Sequence, residues 1–400
     1  MLFDPAQHEL LGDEQWDEER VRAAIREIVA ETEEAFDPET LWPVHPRDHD
    51  YTGTDAYTTH ALWVGAAGVL WGLHQLAARG AVDLRRDYAD VAAGLHDDYL
   101  RQAGGDAPAV PGLWMGEAGV LLVAHLIAPD DSRADRLLEV VRENARNETR
   151  ELMWGSPGTM IVARAMLDRT VDERWRDVWA ESADWLWDEW RRDDELGCFL
   201  WTQLLYGNVA SYLGPAHGFA GNVLALAQLV PDARRDELAR RATDTIRRLA
   251  FREDGLANWA PRAGAELEVP GQGIRAQWCH GAPGIVTSLA TLPAEPELDE
   301  LLLAGGELTW AAGPHAKGPG LCHGTAGNGY AFLALHGRTG DALWLDRARA
   351  FALHALRQVD EERARHGRGR FSLWTGDLGV AVFAQQCIDG EPGFPTIDTW

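Results

Sequence analysis

The stretch "GLCHGTAGNGYAFL" (residues 320–333) places a cysteine and a histidine side by side, followed by two glycines three residues apart and an apolar run. The stretch "QWCHGAPGIVTSL" (residues 277–289) has the same arrangement. Because the chain contains only four cysteines, a Cys-His-Gly-x-x-Gly pattern that uses two of them indicates a repeated structural unit.

The Gly-x-x-Gly pattern with apolar residues after it occurs seven times along the chain. The first glycines of the seven copies are Gly65, Gly116, Gly155, Gly218, Gly281, Gly324 and Gly376. One such pattern means little, but seven copies at intervals of 39 to 63 residues indicate an internal repeat. Glycine at these places permits a tight turn and a close backbone approach.

Each repeat is predicted to hold two helices of different character. Residues 17–36, 173–192 and 236–253 space their apolar side chains three and four positions apart, with charges between them, which is typical of amphipathic helices. The segments after the glycines are almost wholly apolar, which is typical of buried helices. Each repeat is therefore interpreted as one buried and one amphipathic helix.

Seven helix pairs can stack as an open solenoid or close into a ring. A solenoid favours even spacing and polar terminal repeats, whereas here the spacing is uneven and the end copies are as apolar as the middle ones. We therefore predict an all-α closed double ring of seven inner and seven outer helices, formed by residues 1–400 as one domain. The inner helices should begin on one face, with the glycine turns lining a central cavity.

The composition of the chain disfavours some classes of binding partner and some cellular locations. The formal net charge of −26 is opposite to what a phosphate backbone attracts, so nucleic acid and anionic membrane surfaces are disfavoured. No apolar segment is long enough to predict a membrane span, and the first residues lack the features of a signal peptide. With four cysteines in 400 residues no disulfide framework is expected, and we predict a cytoplasmic protein.

A closed ring would bring the two Cys-His pairs, Cys279-His280 and Cys322-His323, to equivalent places facing one another. Cysteine and histidine are preferred zinc ligands, and three of them with an open position describe a catalytic site. The residues alone leave open which of the four would bind. Cys198 and Cys387 are interpreted as buried packing residues.

These motifs resemble those of the lanthionine synthetase C-like proteins, and the likeness runs through all seven glycine motifs. "QWCHGAPG" and "KGPGLCHGTAGNGYAFL" are its most specific parts. They are more similar to the stand-alone branch found in animals and plants than to the bacterial lantibiotic cyclases. The resemblance implies an α/α toroid with seven inner and seven outer helices. It also implies zinc held by Cys279, Cys322 and His323.

The same resemblance implies further site residues. His217 matches the active-site histidine of the fourth repeat, and Arg275 matches an arginine four positions before the first zinc cysteine. Glu151 matches an acidic residue that is Asp in the cyclases and Glu in the stand-alone branch. His280 occupies a place that is commonly Tyr in cyclases. Lys317 matches a lysine five positions before the second cysteine in the animal branch.

The implied reaction adds a thiol to a dehydroalanine or dehydrobutyrine residue of a peptide or protein. Glutathione or another low-molecular-weight thiol is the expected donor, and zinc would hold it as thiolate. His217 is assigned as proton donor to the α-carbon, with His280 as the alternative. Arg275 would stabilise the developing enolate.

Lys317 has a separate expected role. It is the single lysine in a chain that uses arginine at every other basic position, so a compact ammonium is expected to be needed there. The resemblance links such a lysine to elimination of phosphate from phosphoserine or phosphothreonine, which generates the dehydro residue.

Three other functions remain open. A lantibiotic-type cyclase would join a peptide's own cysteine to its dehydro residue in the same site. A glycoside hydrolase or lyase would need paired carboxylates, and only Glu117, Asp377 and Glu151 lie near repeat glycines, which disfavours it. A peptide- or phosphopeptide-binding scaffold without catalysis would be favoured by a fourth protein ligand to zinc.

Overall fold

Helices dominate the fold. A computed structural model describes residues 1–48, 60–103, 109–264 and 273–400. The α-helices within these ranges are α1 (Glu18–Glu34), α2 (Ala66–Ala78), α3 (Ala89–Ala103), α4 (Glu117–Ile127), α5 (Asp131–Glu143), α6 (Ser156–Thr170), α7 (Arg174–Asp188), α8 (Phe219–Ala227), α9 (Asp232–Leu249), α10 (Ala282–Leu289), α11 (Pro296–Ala312), α12 (Thr325–Thr339), α13 (Ala342–His366) and α14 (Asp377–Asp389). Short 3₁₀ turns lie at Pro5–Gln7 and Pro46–Asp48. In the described ranges, no helix has both the length and the apolar character needed to cross a bilayer.

The helices form a closed double ring, as predicted. The even-numbered helices α2 to α14 each contact the next one in order, and α14 contacts α2 in turn. The odd-numbered helices pack outside them, and α1 packs on α14. This closure, rather than a solenoid, explains why the first and last repeats are as apolar as the middle ones. The interpretation of residues 1–400 as one domain stays a prediction.

Each inner helix begins at a repeat glycine, because the turn before it lies against the helix. The first glycine of every motif is the N-cap of its helix. A Cβ atom on the second glycine would overlap a carbonyl oxygen six residues earlier, that of Leu321 for Gly327 and that of Trp278 for Gly284. Any side chain at these positions would push the turn off its helix.

Indole rings fill the axis of the ring behind the turns. Trp63 stacks on Trp374 with ring centroids 4.6 Å apart, and Trp114 and Trp278 lie 4.4 Å and 5.1 Å from Trp374. All four are at most 2% exposed. Losing one such side chain to alanine costs about 3–5 kcal/mol. The predicted central cavity is therefore largely filled, and the candidate site lies at the rim.

In the described ranges, three antiparallel hairpins, which the sequence analysis did not predict, join or extend the helices. They pair β1 (Arg191–Asp193) with β2 (Cys198–Leu200), β3 (Gln203–Leu205) with β4 (Asn208–Ala210), and β5 (Ala250–Glu253) with β6 (Leu256–Trp259). Two predicted helices, 173–192 and 236–253, accordingly end early, at Asp188 and Leu249. In the second case Asp254-Gly255 forms the hairpin turn, and this dipeptide strongly favours such a turn.

Candidate active site

Two cysteines and a histidine converge at the rim of the ring. Cys279 lies in the turn before α10, and Cys322 and His323 lie in the turn before the neighbouring inner helix α12. The backbone N–H of Cys279 donates to the carbonyl of Cys322 over 3.1 Å. The two sulfurs and a ring nitrogen of His323 all lie within 4.8 Å of one another. Ring closure thus brings together residues 43 positions apart in the chain.

This group has the donor set of a zinc site. Zinc binds thiolate at about 2.3 Å and imidazole at about 2.0–2.1 Å, so tetrahedral ligand atoms lie roughly 3.5–4 Å apart, which the cluster allows. Both cysteines are buried and His323 is half-buried. In the part of the chain that the structure describes, no fourth Cys, His, Asp or Glu joins the group. Three protein ligands with a fourth position open are typical of a catalytic metal site.

The two thiols favour a shared proton. A hydrogen bond with Cys322 holds the pKa of the Cys279 thiol well below its usual range, although burial opposes this. Burial and the neighbouring Cys279 raise the pKa of Cys322. The side-chain amide of Gln277 also donates to the Cys279 sulfur over 3.0 Å. Charge on the Cys279 sulfur is therefore stabilised before any metal is considered.

Gln277 also reaches Lys317. The Lys317 ammonium donates to the Gln277 side-chain oxygen over 3.5 Å, so one amide connects the ammonium with the sulfur of Cys279. The sequence analysis missed Gln277, although its place two residues before Cys279 in "QWCHG" was a signal. Glutamine neither titrates nor commonly binds zinc, which is why it drew no attention.

Beside the cluster lies a small, partly open pocket, lined among others by Lys317, His323, Arg370 and Thr375. The Arg370 guanidinium donates from Nε to Asp48 over 3.0 Å, and the Thr375 hydroxyl donates to the same carboxylate over 2.8 Å. Asp48 and Arg370 are both buried. Since Asp48 offsets the charge of Arg370, the exposed ammonium of Lys317 supplies the pocket with positive charge.

His217 and Glu151 form a second, separate pair on the rim. Glu151 lies in the turn before α6 and His217 in the turn before α8. His217 donates from Nδ1 to the Glu151 carboxylate over 2.9 Å. That carboxylate is fully buried and also accepts the backbone N–H groups of Met153 and Trp154 over 3.0 Å and 2.7 Å.

The environment of His217 favours its charged form. Burial alone would lower its pKa, but the hydrogen bond and the charge of Glu151 outweigh burial, and the pKa is raised above 6.5. With Nδ1 held by Glu151, Nε2 is the nitrogen left to exchange a proton with a substrate. His217 therefore has the properties of a general acid near neutral pH.

His280 has the opposite environment. Its pKa is lowered to about 4, mainly by burial; the charge of Cys279 opposes this, and the positive charges of His217, Arg275 and Lys317 add to it. Its ring centroid lies 6.2 Å from that of His217. In the described part of the chain its buried Nδ1 has no hydrogen-bond partner. Because a neutral imidazole is a poor proton donor, the lowered pKa of His280 favours His217 as the proton donor.

Arg275 lies in the segment leading to Cys279, with an exposed side chain. Its backbone carbonyl accepts a hydrogen bond from the Asn258 side chain over 3.2 Å, which fixes the segment. Its positive charge helps to lower the pKa of His280. The structure thus gathers all the residues that the sequence analysis proposed, in the turns before four successive inner helices.

A closed ring of helix pairs with a Cys/His cluster at its rim defines an α/α toroid with a candidate metal centre. Residues 111–399 match the family model described as "Lanthionine synthetase C-like protein". Because this match covers most of the chain, the protein belongs to the lanthionine synthetase C-like family.

Two relatives agree with this assignment, and one solved structure has the same fold. The chain is 32% identical over 180 residues, 43% of its length, to "Glutathione S-transferase LANCL1" of Danio rerio. It is 42% identical over 89 residues, 21% of its length, to "LanC-like protein GCL1" of Arabidopsis thaliana. The matched segments span only 42% and 20% of these two relatives. The structure of nisin cyclase has the same fold, with a TM-score of 0.56 over 85% of this chain and 91% of the other, at 16% identity.

Proposed function

We propose that this protein adds a thiol to dehydroalanine or dehydrobutyrine residues of a peptide or protein. The observation that carries the proposal is the juxtaposition, on one rim, of a Cys₂His cluster and a buried Glu–His pair. The first suits a thiolate nucleophile, and the second suits a proton donor. The name of the Danio rerio relative contains glutathione S-transferase, which supports glutathione as the donor.

Cys279, Cys322 and His323 would hold a zinc ion. When bound, zinc would lower the pKa of the incoming thiol and keep it as thiolate at neutral pH. Gln277 would orient the Cys279 sulfur through its 3.0 Å hydrogen bond, as outer partners of metal ligands commonly do.

His217 would supply the proton that the reaction needs. Attack of the thiolate on the β-carbon forms the C–S bond and leaves an enolate. Nε2 of the His217 imidazolium then gives its proton to the α-carbon, and Glu151 holds Nδ1 and stabilises the charged ring. Arg275 would offset the negative charge on the enolate oxygen. Solvent restores the proton on His217.

We extend the proposal to elimination of phosphate from phosphoserine or phosphothreonine, which generates the dehydro residue. Its support is the small, partly open pocket next to the cluster, where Lys317 presents an ammonium that Asp48 does not offset. The neutral form of His217 would take the α-proton at Nε2, the electron pair of the broken C–H bond would form the Cα–Cβ double bond, and the C–O bond to phosphate would break. Lys317 would bind the departing phosphate as a point charge.

A cytoplasmic location suits this chemistry. All four cysteines are free, and the reducing thiol pool of the cytoplasm both preserves such cysteines and supplies the donor.

The test is incubation of zinc-loaded protein with a dehydroalanine peptide and a panel of thiols that includes glutathione, read by mass spectrometry. We expect the peptide mass to increase by that of the thiol. Cys322→Ala should abolish the reaction, and Cys198→Ala, at a buried cysteine outside the site, should retain it. A peptide with its own cysteine that loses its free thiol without a mass change, while added thiols are ignored, would instead show a cyclase. Peptide binding without either product would favour a scaffold.

A further inference from the structure

The hairpin of β3 and β4 has an unusual turn. Leu205 pairs with Asn208, so the turn consists of Tyr206 and Gly207. Their φ angles are +51° and +74°. Two consecutive positive φ angles are what a type I′ turn requires, and its first position favours Asn, Asp or Gly. A bulky side chain at positive φ is strained.

The chain offers its own comparison in the hairpin of β5 and β6. There Glu253 pairs with Leu256, and the turn consists of Asp254 and Gly255 with φ angles of +50° and +80°. The backbone is nearly the same, but the first residue is one that the turn favours. Local geometry therefore does not require tyrosine at position 206. Strained residues that persist in a fold point to a role in function.

Tyr206 lies directly beside the proposed proton donor. Its hydroxyl accepts a hydrogen bond from Trp154 Nε1 over 3.2 Å. Its ring meets that of His217 at an angle of 83°, with centroids 5.9 Å apart. Yet Tyr206 is 66% exposed. The hydroxyl of Tyr206 is thus held by Trp154, while most of the side chain is exposed to solvent next to His217.

Two hydrogen bonds hold the hairpin in place beside the Glu151–His217 pair. The backbone N–H of Leu204 donates to the carbonyl of Glu148 over 3.2 Å, and the side chain of Gln203 accepts the N–H of Tyr212 over 2.9 Å. Leu204 and Val209, which pair across the strands, are 45% and 71% exposed. Tyr206 is therefore the tip of an anchored apolar ridge at the edge of the site.

We propose that Tyr206 is a specificity-determining residue whose exposed ring packs against the peptide substrate next to the dehydro residue. The inference rests on the proposed function. A dehydroamino residue and its flanking amides are planar, and a fixed aromatic ring offers them a flat contact surface. The hydrogen bond from Trp154 holds the ring in place, so the ring would offer the peptide a preformed contact beside His217.

The decisive variant is Tyr206→Asn. Asparagine suits the turn, so the melting temperature should stay unchanged or rise, while the ring is lost. We expect KM for a dehydroalanine peptide to increase about threefold to tenfold, the range that one aromatic contact supplies, with kcat and its pH profile unchanged. Tyr206→Phe keeps the ring and should keep KM within about twofold of wild type.

Asp254→Tyr is the matched control. It places tyrosine in the equivalent turn of the other hairpin, so it should lower the melting temperature and leave KM unchanged. An unchanged KM in Tyr206→Asn would refute the proposal. An equal increase of KM in Tyr206→Phe would also refute it, because the effect would then come from the hydroxyl and not from the ring. A shifted pH profile in Tyr206→Asn would refute it as well, because Tyr206 would then act by changing the pKa of His217.

Binding of the same peptide without thiol separates this inference from the proposed function. Fluorescence anisotropy should show weaker binding to Tyr206→Asn than to wild type. If wild type binds the peptide but never adds a thiol, the proposed function fails, and weaker binding by Tyr206→Asn still supports the role of Tyr206. Equal binding by the two proteins refutes it, as does absence of binding to wild type.

Discussion

Replacing Glu151 by glutamine should move the alkaline limit of thiol addition to lower pH. The reaction needs the charged form of His217, so its rate falls as pH rises through the pKa of that histidine. Glu151 raises this pKa through its hydrogen bond and its charge. Glutamine keeps the volume and removes the charge, so His217 should lose its proton earlier.

The size of the shift follows from the geometry. The carboxylate is fully buried and lies 2.9 Å from Nδ1 of His217. A hydrogen bond to a charged group contributes about 1.5–3 kcal/mol, and one pKa unit corresponds to about 1.4 kcal/mol. The alkaline limb of kcat/KM should therefore move down by about 1–2 pH units.

The stability of the fold should depend on pH for the same reason. Because the folded pKa of His217 is raised, the pair stabilises the fold fully below the unfolded pKa of about 6.5. This contribution is lost as pH rises through the folded value. The difference in melting temperature between wild type and Glu151→Gln should thus be larger at low pH than at high pH.

The assay is a pH profile of kcat/KM on a dehydroalanine peptide, with melting curves across the same range. Glu117→Gln is the matched control. Glu117 is also buried and accepts a hydrogen bond from a histidine, His96, over 2.9 Å, but it is paired with Arg136 of the outer helix α5 as well. Glu117→Gln should have a lower melting temperature, and the alkaline limb of its kcat/KM profile should stay where it is in wild type. An unmoved limb in Glu151→Gln, with activity retained, would refute His217 as the proton donor.

Three further outcomes are expected. The purified protein should carry about one zinc per chain, and Cys322→Ala should lose it while Cys198→Ala keeps it; elemental analysis decides, and equal metal in both variants would contradict the site. His217→Ala should keep its zinc yet lose thiol addition by about 10²–10⁴-fold, the usual contribution of a proton donor; loss of zinc would make His217 a ligand or a structural residue instead. Lys317→Met should leave addition to a preformed dehydroalanine peptide nearly intact and impair reaction from a phosphoserine peptide, with Lys317→Arg rescuing only in part. Equal loss on both substrates in paired assays would speak against anion binding by Lys317.

The closed ring of helix pairs could be predicted from the amino-acid sequence. Glycine at a close backbone approach and apolar residues on a buried helix are local requirements, so they are visible at every repeat. Gly284 and Gly327 each leave room for a carbonyl oxygen six residues earlier, and that constraint is met within one short segment. The hairpins escaped prediction because their strands are only three or four residues long, which is too short for a periodic pattern.

The contacts between the side chains of the site could not be predicted from the sequence, because they form only when the ring closes. Cys279-His280 and Cys322-His323 share the motif Cys-His-Gly-x-x-Gly, yet His323 joins the two sulfurs and His280 lies beside His217. Arg370 donates a hydrogen bond to Asp48, which lies 322 positions away along the chain. Such contacts depend on which inner helices become neighbours when the ring closes, and a local pattern carries no information about a partner so far away.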